Sequence, residues 1–389
     1  MSNLKIVGRI FGEGPVVALC LRAGRIVAIQ PHDFATGKES DWPAIAPGFC
    51  DLQVNGFNGV DFNQQTPLAA TDFHTAAQAL WAEGCTGLLP TLITNSAATL
   101  EKRFLELGKI LDSDVQLAAC TLGFHLEGPF ISPKDGYRGA HDLQFVCAPD
   151  VDVYQTLQTA AGGRIAVLTL SPEWDGTIAL IEAAVAAGSR VAIGHSCASD
   201  LQIKQAVNHG ATLVTHFGNG VAQHLPRHPN IMWDQLANDG LACSLIADGF
   251  HLPDSVLKTA IGVKGDQAFL VSDSTSLAGL PPGDYETHVG GKVTLAENGK
   301  LHLQEQPSVL AGSAQSLRQC VEHLANTGLV SLADAWRRAS TLPASLIGCE
   351  RHARIEVGAY ANVVQYEYQQ SRLDIQRTWL RGIEVYSKQ

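Results

Sequence analysis

Two rhythms of apolar residues alternate along this chain. Apolar runs of strand length recur at Phe49-Cys-Asp-Leu-Gln-Val, Gly87-Leu-Leu-Pro-Thr-Leu-Ile-Thr, Thr121-Leu-Gly-Phe-His-Leu and Ile165-Ala-Val-Leu-Thr-Leu. They continue at Arg190-Val-Ala-Ile-Gly, Ala211-Thr-Leu-Val-Thr, Leu241-Ala-Cys-Ser-Leu-Ile-Ala and Gln267-Ala-Phe-Leu-Val-Ser. Helical spacing takes over between several of them, as in Leu68 to Glu83, Thr177 to Ala187 and Ser255 to Ile261. In Asp200 to Gly210, Leu201, Ile203, Ala206 and Val207 form an apolar face, and Gly210 falls where a C-terminal cap belongs. Eight β-α units in roughly 300 residues predict an α/β fold of the TIM (β/α)8 barrel type. An open doubly wound sheet has the same rhythm, but no Gly-rich dinucleotide fingerprint follows the first strand.

The two ends of the chain read differently. Leu4-Lys-Ile-Val, Gly14-Pro-Val-Val-Ala-Leu-Cys-Leu and Gly24-Arg-Ile-Val-Ala-Ile are strand-like and punctuated by Gly and Pro. Ala359 to Tyr368 and Ile375 to Tyr386 alternate in the same way. The expected organisation is a barrel over 47–349, with a small β-sandwich domain formed by 1–46 and 350–389.

In such a barrel the reactive groups stand at the C-terminal ends of the strands. Those ends carry Asp51, Gln53 and Asn55, then Thr91 and Thr94, His125 and Glu127, His195, His216, Asp248 and His251, and Asp273. A barrel core alone has no need of polar groups at the same place in successive units. His195 and His216 end neighbouring strands joined by a crossover helix, which puts both imidazoles on one edge. A hydrolytic metal site takes three protein ligands and leaves a position for water. His125 and Glu127 are both candidates for the third ligand, since residues two apart on a strand face the same way. Glu127 is preferred because Gly128-Pro129 ends the strand and leaves the carboxylate at the rim. A His2Glu set suits zinc, and iron or another divalent metal is compatible. Gln53 and Asn55 are neutral amides where a His-x-His pair would complete a second site, so one metal per subunit is expected. Asp273 is either a turn cap or the general base and acid beside the metal; the catalytic role is preferred. Arg227 and His251 form a candidate clamp for a phosphate or carboxylate. Leu310-Ala-Gly-Ser precedes an expected helix over Ala314 to Ala325, and is either that helix's cap or a place where backbone N–H groups meet a ligand.

Bulk properties narrow the picture. The 389 residues are 46% hydrophobic and 17% charged, enough for one large domain and a smaller one. A net charge of −11 without a basic stripe argues against nucleic acid. Nine cysteines without a C-x-x-C pair fit a reducing compartment, and cytoplasmic is the expected location. The N-terminus lacks a signal-peptide pattern, and no apolar run approaches the ~20 residues of a membrane span.

The segments Pro47-Gly-Phe-Cys-Asp-Leu-Gln-Val-Asn-Gly, His125-Leu-Glu-Gly-Pro-Phe, Gly194-His-Ser, Thr215-His-Phe-Gly-Asn-Gly, Ile246-Ala-Asp-Gly-Phe-His, Ser272-Asp-Ser and Leu310-Ala-Gly-Ser run in order over essentially the whole chain. Together they resemble the N-acetylglucosamine-6-phosphate deacetylases of the amidohydrolase superfamily. The resemblance implies a metal on Glu127, His195 and His216. In that family a metal-bound hydroxide attacks the acetamide carbonyl, and the aspartic acid matched by Asp273 then protonates the departing amine. It implies substrate contacts at Ala140, His141, Asn219, Gly220, Arg227, His251, Ala311, Gly312 and Ser313, with part of the phosphate site supplied across a homodimer. Gln53 and Asn55 match the single-metal branch, with His125 beside them as a supporting or vestigial position.

The expected substrate is N-acetylglucosamine-6-phosphate, giving glucosamine-6-phosphate and acetate. Thr215-His-Phe-Gly-Asn-Gly-Val departs from the usual T-H-L-F-N-A-M, and the loop Ala222 to Trp233 is unlike that of the commoner members. Both touch the sugar pocket, so the alternatives are N-acetylgalactosamine-6-phosphate or another N-acyl amino sugar or amino acid. A non-catalytic sugar-phosphate-binding barrel is the reading from another class. Glu127, His195, His216 and Asp273 argue against it, since a binder has no use for both a metal and a base.

Overall fold

Each apolar run of the middle segment becomes a strand, and the strands pair side by side in chain order. The computed structural model describes residues 4–32, 42–287 and 291–388. Positions 1–3, 33–41, 288–290 and 389 of the expected domains lie outside the described residues. The eight-stranded sheet runs Phe49–Val54, Cys85–Ile93, Phe124–Glu127, Ile165–Leu170, Arg190–Ile193, Ala211–Val214, Ala242–Leu245 and Ala268–Leu270, all parallel. Its two edges meet where Val54 bridges Ser274, and the Asn55 and Gly56 N–H groups reach the Ser274 carbonyl at 2.9 and 3.2 Å. The result is a nearly closed TIM barrel.

Alternate positions of these strands split between two cores, as a period of two dictates. Leu52, Leu89, Val167, Ala192, Leu213, Ala242 and Phe269 pack together as the barrel's filling. The opposite faces join the larger cluster formed with the helices, including Phe49, Leu88, Leu126, Leu168 and Ile193. The crossover helix Asp200–Asn208 starts in a capping box, with the Ser199 side chain accepting from the Gln202 N–H. It stops before Gly210, whose φ of 113° a side chain would resist. This short crossover sets Arg190–Ile193 directly beside Ala211–Val214.

The chain ends do pair. Ala44–Pro47 lies between Lys5–Ile10 and Val363–Gln369 in one seven-stranded sheet, with Val16–Arg22 and Arg25–Pro31 on one side and Arg372–Leu380 and Ile383–Ser387 on the other. The run read as Ile375 to Tyr386 is two strands, because the chain turns at Arg381-Gly382 with φ of 48° and 74°. A three-stranded antiparallel sheet, Gly283–Thr287, Gly291–Leu295 and Leu301–Leu303, follows the last barrel strand. The expected helix from Ala314 begins later, at Leu317, because Ser313 is drawn into a bridge with Ser274.

Trp336 fastens barrel to end sheet. Its fully buried ring lies 4.5 Å from the rings of both Phe49 and Tyr366, and its N–H donates to the Pro47 carbonyl at 2.7 Å. Trp336→Ala is expected to cost about 3–5 kcal/mol, a cavity plus an orphaned carbonyl, read as a lower midpoint in urea denaturation.

Candidate active site

Three strand ends and one loop bring four donors to one point. Glu127 ends its strand with Oε1 lying 3.1 Å from His195 Nε2 and 3.0 Å from His216 Nε2, and those two nitrogens are 3.0 Å apart. His141, from the loop beyond Glu127, places its Nε2 3.2 Å from His195 Nε2. All four side chains are buried. His195, His216 and Asp273 share an unusual backbone, with φ of 48°, 30° and 49°. The left-handed region is uncommon for residues other than glycine and clusters at functional sites.

Neighbouring groups fix how each donor is presented. His195 Nδ1 lies 3.0 Å from the Tyr137 carbonyl, which only accepts, so Nδ1 carries a proton and Nε2 is the atom turned towards the cluster. His141 Nδ1 lies 2.8 Å from Thr94 Oγ1. Gln53 Nε2 donates to Glu127 Oε2 at 3.1 Å and leaves Oε1 to the imidazoles. Gly220, at φ 65°, lies so close to His195 that a Cβ there would stand 2.8 Å from Nδ1.

The electrostatics suit a cation. Burial opposes the charge on Glu127, but hydrogen bonds from His195 and His216 outweigh it and hold the carboxyl well below its usual range. Burial likewise opposes a charged His216, yet the Glu127 contact outweighs it and lifts His216 to about 9. Burial, seconded by His195, pushes His141 down to about 3. The donor atoms of Glu127, His141 and His195 all lie within 4.8 Å of one another. Imidazole nitrogens and a carboxylate oxygen at this spacing are the donor set of a divalent metal, and second-nitrogen hydrogen bonds of this kind accompany metal-binding histidines. Nearby, His216 Nδ1, Asn219 Nδ2 and Asn55 Oδ1 are buried without a hydrogen-bond partner. Such orphans are rare in finished cores and fit a pocket that takes a ligand. The residues fit a metal.

Asp273 receives a hydrogen bond from Asn55 Nδ2 at 2.8 Å. Enclosure and the Glu127 charge raise its carboxyl to about 6. His251 Nδ1 donates to Asp248 Oδ2 at 2.7 Å, while Asp248 Oδ1 accepts from the Phe250 and His251 N–H groups. The His251 charge also acts on Asp273. His125 is spoken for elsewhere: Nδ1 donates to the Leu52 carbonyl at 3.1 Å and Nε2 meets Thr169 Oγ1 at 2.7 Å. Ala140 is exposed beside His141. Ala311 N–H donates to the Leu301 carbonyl, Gly312 turns at φ 97°, and Ser313 bridges Ser274, one residue past Asp273. Arg227 stands apart, exposed on its loop and without an ion-pair partner among the described residues.

An N-acetylglucosamine-6-phosphate deacetylase of Danio rerio is 31% identical over 358 residues, covering 88% of this chain and 85% of the relative. The chain belongs to the N-acetylglucosamine-6-phosphate deacetylase family. The Bacillus subtilis (strain 168) deacetylase is 30% identical over 339 residues, covering 84% of this chain and 82% of its own. The solved deacetylase of Pasteurella multocida matches with a TM-score of 0.85 at 25% identity over 98% of each chain. No protein-family model matches the chain. These deacetylases are enzymes of the amidohydrolase type, and the barrel with its chain-end sheet is their architecture.

Sequence reasoning missed two features of this deacetylase site. His141, expected from the resemblance only as a substrate contact, brings its Nε2 to the same point as the metal candidates. The Tyr137 carbonyl that orients His195 is backbone, and no side-chain pattern announces it.

Proposed function

We propose that this protein hydrolyses the acetamide of N-acetylglucosamine-6-phosphate to glucosamine-6-phosphate and acetate. The observation that carries the reading is the Glu127 carboxylate set against two imidazole nitrogens, beside an enclosed Asp273 steered by Asn55. Glu127, His195 and His216 hold one divalent metal, with zinc the best match to the donor set. Such an ion supplies Lewis acidity, acidifying water and polarising the amide carbonyl. Asp273 takes the proton of the attacking water and delivers it to the departing amine nitrogen. A carboxyl lifted towards neutrality suits both halves of that task. His141 and Asn219 contact the sugar, and the turn at Gly220 leaves room for it. Gln53 and Asn55 act on Glu127 and Asp273 instead of binding a second metal.

Arg227 and His251 take the phosphate. The exposed Arg227 supports a homodimer in which that arginine serves the neighbouring subunit's site. Nine unpaired cysteines support a cytoplasmic location. Among the described residues no helix is long and apolar enough to cross a membrane. The sheet that pairs the described chain-end strands supports reading 1–46 and 350–389 as one small domain beside a barrel over 47–349.

The test is acetate release from N-acetylglucosamine-6-phosphate and from the unphosphorylated sugar, with zinc-loaded protein. A strong preference for the phosphorylated sugar is expected, and Arg227→Ala is expected to remove most of it through KM. Equal use of both sugars would overturn the phosphate assignment. Activity on neither would send the search to N-acetylgalactosamine-6-phosphate and other N-acyl compounds.

A further inference from the structure

Outside the candidate metal site lies a second cluster of reactive side chains. Lys134 Nζ stands 2.9 Å from Cys197 Sγ, and Cys197 Sγ stands 3.0 Å from Glu173 Oε2. Glu173 is fixed from several sides. Its Oε1 accepts from Ser132 Oγ at 2.9 Å, and its Oε2 accepts from Ser171 Oγ at 2.8 Å and the Cys197 N–H at 2.9 Å. The three residues, with Pro133, Trp174 and Gln202, line an open cavity of about 300 Å³. A small solute reaches the sulfur through it. Nothing in the deacetylation chemistry calls for these groups.

A nucleophilic sulfur wedged between an amine and a carboxylate is equipped for one covalent event. We propose that Lys134 and Cys197 form a sulfur–nitrogen crosslink when the protein meets a peroxide. In the first step the thiol proton passes to Glu173 and the sulfur attacks one peroxide oxygen. The O–O bond breaks, the proton returns to the departing oxygen as water, and Cys197 is left as a sulfenic acid. Sulfur is oxidised by two electrons and the peroxide is reduced. In the second step Lys134 first gives one ammonium proton to Glu173, and the freed amine lone pair then attacks that sulfur as the S–O bond breaks. A second nitrogen proton leaves with the hydroxyl as a second water, and the S–N–H link remains. Sulfenic acids are known to condense with nitrogen in this way, and a thiol restores the starting pair.

The crosslink would join two segments that meet at the site. Lys134 begins the stretch that carries the Tyr137 carbonyl and His141, and Cys197 follows His195 on the adjoining strand end. The Ser132 N–H already donates to the His195 carbonyl at 2.9 Å, so the bond closes across a contact present beforehand.

The test is peptide mass mapping of the zinc-loaded full-length protein after hydrogen peroxide, with a thiol-treated half. The expected product joins the Lys134 and Cys197 peptides, is lighter than their sum by two hydrogens, and vanishes on reduction. Lys134→Arg and Cys197→Ser should each abolish it, while Glu173→Gln should slow its appearance. Cys197 found as a sulfinic acid or in a mixed disulfide beside unmodified Lys134 would overturn the proposal. So would a crosslink that persists in Lys134→Arg.

Discussion

Asp273→Asn is expected to lower turnover at least ~100-fold, the low end of general acid–base effects, with zinc content and substrate affinity largely kept. The substitution keeps the shape of the side chain and its place beside Asn55. What disappears is the ability to take a proton and return it. The decisive readouts are kcat for acetate release, metal by elemental analysis, and substrate binding by calorimetry. Loss of metal or of folding would make Asp273 a structural carboxylate. Near-normal turnover would remove it from the reaction altogether.

Glu127→Ala is expected to abolish metal binding and reduce activity to the background of the metal-free protein. Chelation of the unaltered protein should do the same, reversibly on zinc addition. Glu127 is the one carboxylate of the cluster, and its removal leaves imidazoles crowded without a counter-charge. Metal uptake should also depend on pH. Burial disfavours charge on His216, but Glu127 overrides it and raises its folded pKa to about 9 in the metal-free state. A proton therefore competes with the metal, and affinity should fall as pH drops below that value. His216→Ala and His141→Ala separate the two possible triads. Metal lost in the first and kept in the second supports the set with His216, and the reverse assigns His141.

Much of this is legible in the sequence. The eight parallel strands were readable because each is a short apolar run bounded by turn residues, and nothing in that pattern depends on distant contacts. His195, His216 and Asp273 stood out because each follows such a run. The three-stranded sheet at 283–303 was not legible, since its strands are short, half exposed and weakly alternating. His141 was readable only through family likeness, because a loop has no period from which to infer what its side chains face. The Lys134, Glu173 and Cys197 cluster was invisible for the same reason, its members lying in three separate connections. Long-range meetings between loops are set by the barrel rim and not by local sequence.

The left-handed backbones at His195, His216 and Asp273 set heat resistance against turnover. Each conformation costs on the order of 1–3 kcal/mol in a residue bearing a side chain, and glycine adopts it freely. A library of this gene selected only for survival at high temperature would therefore be under no pressure to keep these three side chains. The survivors would be sturdy barrels without a catalytic centre, so breeding a tougher enzyme from this chain means holding those codons fixed.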